Sequence, residues 1–181
     1  AVNYFPRRKG YFLYISSAKF IIMRKIYLSL FFILFLFAFN SVRAQVTGIK
    51  NIPADFPSVQ AAVAALNLQG VGAGGATINV PAGYSETFSV QVVLTMTSNP
   101  SSQANPLVFR KSGAGSNPLI RAFSPGVSTS VDGIFILNGC DHVTFDGIDL
   151  MENPSNSTPT QLMEWGYALV KVSGTNGCWN N

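Results

Sequence analysis

Charge is scarce in this chain of 181 residues, which holds twelve Lys and Arg, eight Asp and Glu, and one histidine. The lone histidine, His142, excludes metal centres built on several imidazoles. Residues 1–44 lack acids altogether and hold seven of the twelve basic residues, a charge of +7. Residues 45–181 hold five basic and eight acidic residues, a charge of −3. The formal net charge of +4 therefore belongs to the N-terminal stretch. The body has no basic stripe to neutralise phosphates, so no nucleic-acid partner is expected.

The N-terminal stretch reads as a leader. Met23 is followed by Arg24 and Lys25, an apolar run of 14 residues from Ile26 to Phe39, and Val42-Arg43-Ala44 before Gln45. A charged n-region, an apolar h-region and a small-x-small site form the pattern of a secretory signal peptide, 23–44, cleaved after Ala44. A run of that length spans roughly 21 Å as a helix, short of the ~30 Å hydrocarbon core. Membrane contact is thus expected only through an uncleaved leader, and the export machinery is the partner it implies. Residues 1–22, with Arg7-Arg8-Lys9 ahead of Met23, read as a non-native upstream extension.

Long helices are also missing. In 45–181, Gly, Ser, Thr and Asn supply 51 of 137 residues, with nine Pro besides. Short apolar runs recur between turn residues: 77–80, 88–93, 107–109, 119–120, 133–137, 142–145, 148–150 and 168–172. Many short strands at close spacing predict an all-β sandwich, barrel or solenoid. One helix is expected: Ser58 as N-cap, then Val59, Ala62, Val63 and Leu66 on one apolar stripe, closed by Asn67 and Gly70. Such a helix is suited to cap the first coil of a solenoid. Asn138-Gly139-Cys140 recurs as Asn176-Gly177-Cys178, and with the polar stretch 152–161 set aside as a loop, the coil period falls in the twenties.

The segment Asp55-Phe56-Pro57-Ser58-Val59-Gln60-Ala61-Ala62-Val63, followed by Gly83-Tyr84-Ser85-Glu86, resembles the entry motif of pectin methylesterases and related pectate-lyase-like proteins. That resemblance implies a right-handed parallel β-helix with an N-terminal capping helix. The blocks 70–75, 105–115 and 143–150 are similar to the N-terminal region of exported Bacteroidetes surface proteins that use type IX secretion. The implied plan is a cap and first coils over 45–181, truncated at the C-terminus. Active-site residues in such families usually lie on later coils, so no catalytic residue is assigned.

Several motifs have a chemical and a structural reading. Gly70-x-Gly72-x-x-Gly75 matches a dinucleotide fingerprint, but with a helix before it and a strand after it the dipole is at the wrong end. It reads as a flexible connector, and no cofactor is expected from it. Asp141, Asp146 and Asp149 offer hard oxygens for calcium, the one cofactor the pattern admits, or form an Asp-Gly turn between strands. Cys140 and His142 share strand parity, which a thiolate–imidazole pair would need. Cys140 and Cys178 are either a disulfide or stacked free thiols. Glu86, Arg110, Lys111 and Arg121 are candidates for orienting a polysaccharide or for acid–base work, against a default of solvated surface. Tyr84, Trp165, Tyr167 and Trp179 would suit stacking on sugar rings, or packing. The function expected is adhesion or glycan contact by a secreted or cell-surface protein. The alternative is a polysaccharide lyase or carbohydrate esterase with its chemistry on later coils.

Overall fold

The computed structural model describes residues 24, 25, 27–31, 44–126, 132–174 and 176–181. The chain divides into two compact units, Ala1–Arg43 and Ala44–Asn181. In the first, residues 24, 25 and 27–31 are helical and exposed. Residues 1–22, most of the expected h-region and Val42-Arg43 of the cleavage site lie outside the described residues. Among the described residues no helix is long and apolar enough to cross a membrane.

The second unit is a parallel β-helix of about four turns. It starts with β1 (Val46–Asn51) and α1 (Val59–Gln69). Three coils follow: β2 (Val71–Pro81), β3 (Ser85–Thr87) and β4 (Val92–Leu94); β5 (Leu107–Ser112), β6 (Leu119–Arg121) and β7 (Gly133–Asn138); β8 (Val143–Asp146), β9 (Asp149–Met151) and β10 (Trp165–Val170). Stacking gives sheet A in the order β1-β2-β5-β8, sheet B as β3-β6-β9 and sheet C as β10-β7-β4, with every strand pair parallel. A parallel sheet closed on itself in this way places one side-chain row inside and the alternate row outside.

The first interval keeps the period that the sequence suggested, and the later coils are longer. Groups hydrogen-bonded across neighbouring coils lie 28 positions apart at Asn51 and Asn79, 31 at Asn79 and Arg110, and 43 at Thr95 and Asn138. The polar stretch after β9 belongs to the coil rather than standing outside it. The Asn153 and Asn156 side chains are buried and donate to Ala122 O and Phe123 O of the coil before, each at 3.0 Å. Glu152 ties the stretch together by accepting from Asn153 N, Asn156 Nδ2 and Met163 N. Side-chain amides here replace the ladder bonds that a strand would make.

Aromatic rings fill the lumen. Phe109 and Phe145, register partners in sheet A, stack with centroids 5.1 Å apart and planes 7° off parallel. Phe135 packs edge-on against Phe88, Phe109 and Phe145, at 5.7, 5.9 and 4.9 Å. Such contacts add about 0.5–1.5 kcal/mol each beyond area burial.

The helix forms where its sequence demanded. Ser58 is the N-cap, its Oγ accepting from Ala61 N at 3.0 Å, and Gly70 closes the other end at φ +70°. A Cβ on Gly70 would sit 2.1 Å from Ser98 O, so position and turn both require glycine. Val59, Ala62, Val63 and Leu66 are the buried stripe. Polar groups lock the helix to the first coil. Glu86 accepts from Val59 N at 2.8 Å and Gln60 N at 3.1 Å, satisfying two of the donors a helix N-terminus leaves free. Asn67 donates to Val93 O at 2.7 Å and accepts from Thr95 N at 2.8 Å, pairing the edge of β4 as a neighbouring strand would. Gln60 makes the same kind of contact with Ser89 N, at 2.9 Å.

Candidate functional site

The outer face of sheet A carries two rows of side chains at coil spacing. One row is Ile49, Thr77, Val108 and Thr144; the other is Asn51, Asn79, Arg110 and Asp146. The second row is linked from coil to coil: Asn79 Nδ2 donates to Asn51 Oδ1 at 3.0 Å, and Arg110 Nε donates to Asn79 Oδ1 at 3.2 Å. Asp146 is the next register partner beyond Arg110 and is exposed. At the first strand, Asp55 accepts from Asn51 N at 2.7 Å and lies 4.0 Å from Lys50 Nζ. Four rungs at about 4.8 Å each make a polar ladder about 14 Å long. Its amide and guanidinium donors alternate with amide and carboxylate acceptors, and its charges balance. The row offers hydrogen bonds to a hydroxylated ligand laid along the coil axis, and it contains no nucleophile paired with a base.

The remaining sequence candidates are dispersed. Asp141 Oδ1 accepts from Trp179 N at 2.6 Å, Asp149 Oδ1 accepts from Asn117 Nδ2 at 2.9 Å, and Asp146 stands in the sheet A row. Among the described residues, no three His, Cys, Asp or Glu side chains gather where a metal ion could be held. The bend between β8 and β9 is the Asp-Gly turn, with Gly147 at φ +67°. Lys111 Nζ donates to Gly115 O and Asn117 Oδ1 within its own turn, and Arg121 donates to Ser85 Oγ at 2.7 Å across sheet B. Glu86 is committed to the helix terminus and to the Tyr84 hydroxyl at 2.9 Å. Burial beside that carboxylate pushes the Tyr84 phenol well above its usual value. An open groove of about 470 Å³ adjoins this contact, lined by Ser58, Gln60, Ala61, Ala64, Glu86 and Thr87 among others.

The glycine-rich stretch is a strand and not a connector. Residues 71–81 are all in β2, and the register slip between Val46 and Gly48 of β1 falls opposite its glycines. Gly75 has φ +84°, and a Cβ there would lie 2.5 Å from Pro106 O. Tyr167 packs against Phe145 and Phe135 inside the lumen, whereas Trp165 and Trp179 are exposed on the last coil.

His142 is a corner residue at φ +52°, its N–H donating to Trp179 O, its Nε2 3.4 Å from Asn180 Nδ2. The neighbouring Cys140 thiol donates to Leu94 O at 3.0 Å, so thiol and imidazole have separate partners. Both cysteines are free thiols and occupy one corner position in successive coils. Cys140 Sγ lies 3.0 Å from Leu94 O and 3.6 Å from Asn138 O; Cys178 Sγ lies 3.2 Å from Leu137 O and 3.4 Å from Val170 O. Leu94 and Leu137 are register partners, and so are Asn138 and Val170. Burial pushes the Cys140 thiol up to about 11.

Sequence reasoning missed one further group, Asp132. It is 1 % exposed, and neither carboxylate oxygen has a hydrogen-bond partner among the described residues. Burial first, then the charges of Glu164 and Glu152, raise its pKa. An aspartate one residue ahead of an apolar strand carries no sequence signal for this.

Comparison with known proteins yields no family model, no curated protein and no solved structure that matches the chain.

Proposed function

We propose that the β-helix is a contact module of an exported protein, secreted or held at the outer cell surface, that lays an extended glycan along the outer face of sheet A. The observation that carries this reading is the linked row Asn51–Asn79–Arg110, with Asp146 next in register. A solenoid repeats one surface at fixed spacing, which suits a repeating polymer more than a compact ligand. The row's balanced charge favours a polyhydroxylated, weakly charged chain. The leader pattern supports export, and the type IX route of the surface proteins the sequence resembles is part of this proposal. In this reading the described coils bind without catalysis.

A second reading, a lyase or esterase acting on acidic polysaccharide, draws on Arg110 and Asp146 standing on adjacent coils of one sheet. One experiment separates the two. Binding to a panel of immobilised polysaccharides is measured for the wild type, Arg110→Ala and Asn79→Ala, and the soluble products are assayed in parallel. The contact reading expects retention of at least one polysaccharide, about tenfold weaker binding in each variant, and no cleavage or deacylation. Cleavage that is lost in Arg110→Ala would favour the enzyme. Equal binding by all three proteins, or binding to none, would remove sheet A as the site.

A further inference from the structure

We propose that Cys140 and Cys178 form a cross-linking pair, which closes as a disulfide between successive coils on exposure to a small disulfide oxidant. The two thiols are held at equivalent points by equivalent carbonyl pairs, one strand step apart. That equivalence survives different connections. Cys140 follows β7 after Gly139, whereas residues 171–177 separate β10 from Cys178, with Val172 N bonded to Asn176 O at 3.0 Å. The loop therefore returns the second cysteine to the position of the first. A step of about 4.8 Å between stacked strands falls inside the ~4.4–6.8 Å Cα separation that disulfides span.

The two sulfurs have different roles. Cys140 is buried, whereas Cys178 is half-buried on the terminal segment 176–181. That segment is bonded to the preceding coil through Asp141, His142 and Cys140 O, with no strand on its far side among the described residues. The Cys178 thiolate attacks one sulfur of the oxidant, expels a thiolate and becomes a mixed disulfide. The Cys140 thiolate then attacks Cys178 Sγ and expels the second thiolate. Two S–H protons leave the protein, one S–S bond forms, and the oxidant is reduced to two thiols. Burial keeps Cys140 from the oxidant and leaves it the resolving thiol.

The test treats the full chain with oxidised glutathione, quenches with N-ethylmaleimide and measures intact mass without reductant. The wild type is expected to lose the mass of two hydrogens, take up no maleimide and give a linked peptide containing Cys140 and Cys178. Its closure should quicken as pH rises, because the attacking species is a thiolate. Cys140→Ser, which lacks the resolving thiol, is expected to accumulate a glutathione adduct at Cys178. A lasting adduct on wild-type Cys178 with Cys140 still reduced would overturn the pairing, as would a disulfide between two chains or two thiols that stay reduced. The wild-type result decides the matter even if Cys140→Ser does not fold.

Discussion

Sheet C has two edges made from the same kind of strand, and they are finished differently. At β4, the Asn67 side chain of α1 takes up Val93 O and Thr95 N, so the edge is hydrogen-bonded and Leu94 inside it is fully buried. At β10, β7 lies on one side and no strand lies on the other among the described residues, and Leu169 is 54 % exposed. Yet Leu94, Leu137 and Leu169 are register partners in one column. Identical side chains at equivalent positions thus have opposite environments, because burial in a solenoid comes from the next layer and not from the strand itself. The helix supplies that layer at one end. An unpaired strand edge is a site for further pairing, so the β10 side is where another strand would add.

Paired substitutions sharpen this contrast most. Leu94→Ala should cost about 2–5 kcal/mol in a urea melt, whereas Leu169→Ala should stay within about 0.5 kcal/mol. Equal costs would mean that the β10 end is covered in solution. Next in size is Glu86→Ala, which leaves Val59 N, Gln60 N and the Tyr84 hydroxyl without their acceptor. A loss of about 1–3 kcal/mol is expected, with helix α1 the first element to open in hydrogen exchange.

The pH dependence tests the entry to β7. The folded-state pKa of Asp132 is raised, so the fold is favoured while that carboxyl is protonated and loses stability as pH rises through the raised value. Asp132→Asn should flatten the slope above the ordinary carboxylate range; an unchanged slope would mean that Asp132 is not its source. The smallest effect is expected from Trp165→Ser, since the ring is 58 % exposed: stability within about 0.5 kcal/mol, with less self-association in light scattering.

The cap was legible because it is local. Ser58, the stripe of Val59, Ala62, Val63 and Leu66, and Gly70 all stand at spacings that helix geometry dictates. The parallel β-helix was legible as short strands between turns. Strands β1 and β3 were not, because Thr47, Gly48 and Lys50 in one and Ser85-Glu86-Thr87 in the other lack an apolar run. The length of the later coils was misjudged for a related reason. Asn153 and Asn156 read as loop residues, and only the carbonyls of the preceding coil show them to be buried rungs. Glu86 looked like a free surface charge, since nothing in its own segment reveals a helix terminus 26 or 27 positions earlier. Of the sheet A row, Arg110 and Asp146 stood out in the sequence only separately, as a polysaccharide-orienting and a calcium candidate, and register alone joins them to each other and to Asn51 and Asn79.

Residue-resolved hydrogen exchange on the full chain tests the two-ended account most directly. Thr95, Val59 and Gln60 amides, bonded to Asn67 and Glu86, are predicted to exchange slowly. Tyr167 and Leu169, which alternate with Val170, whose carbonyl accepts from Gly139 N on the β7 side, are predicted to exchange fast on the far edge of β10. Equal protection at both edges, or faster exchange at Thr95 than at Leu169, would contradict it.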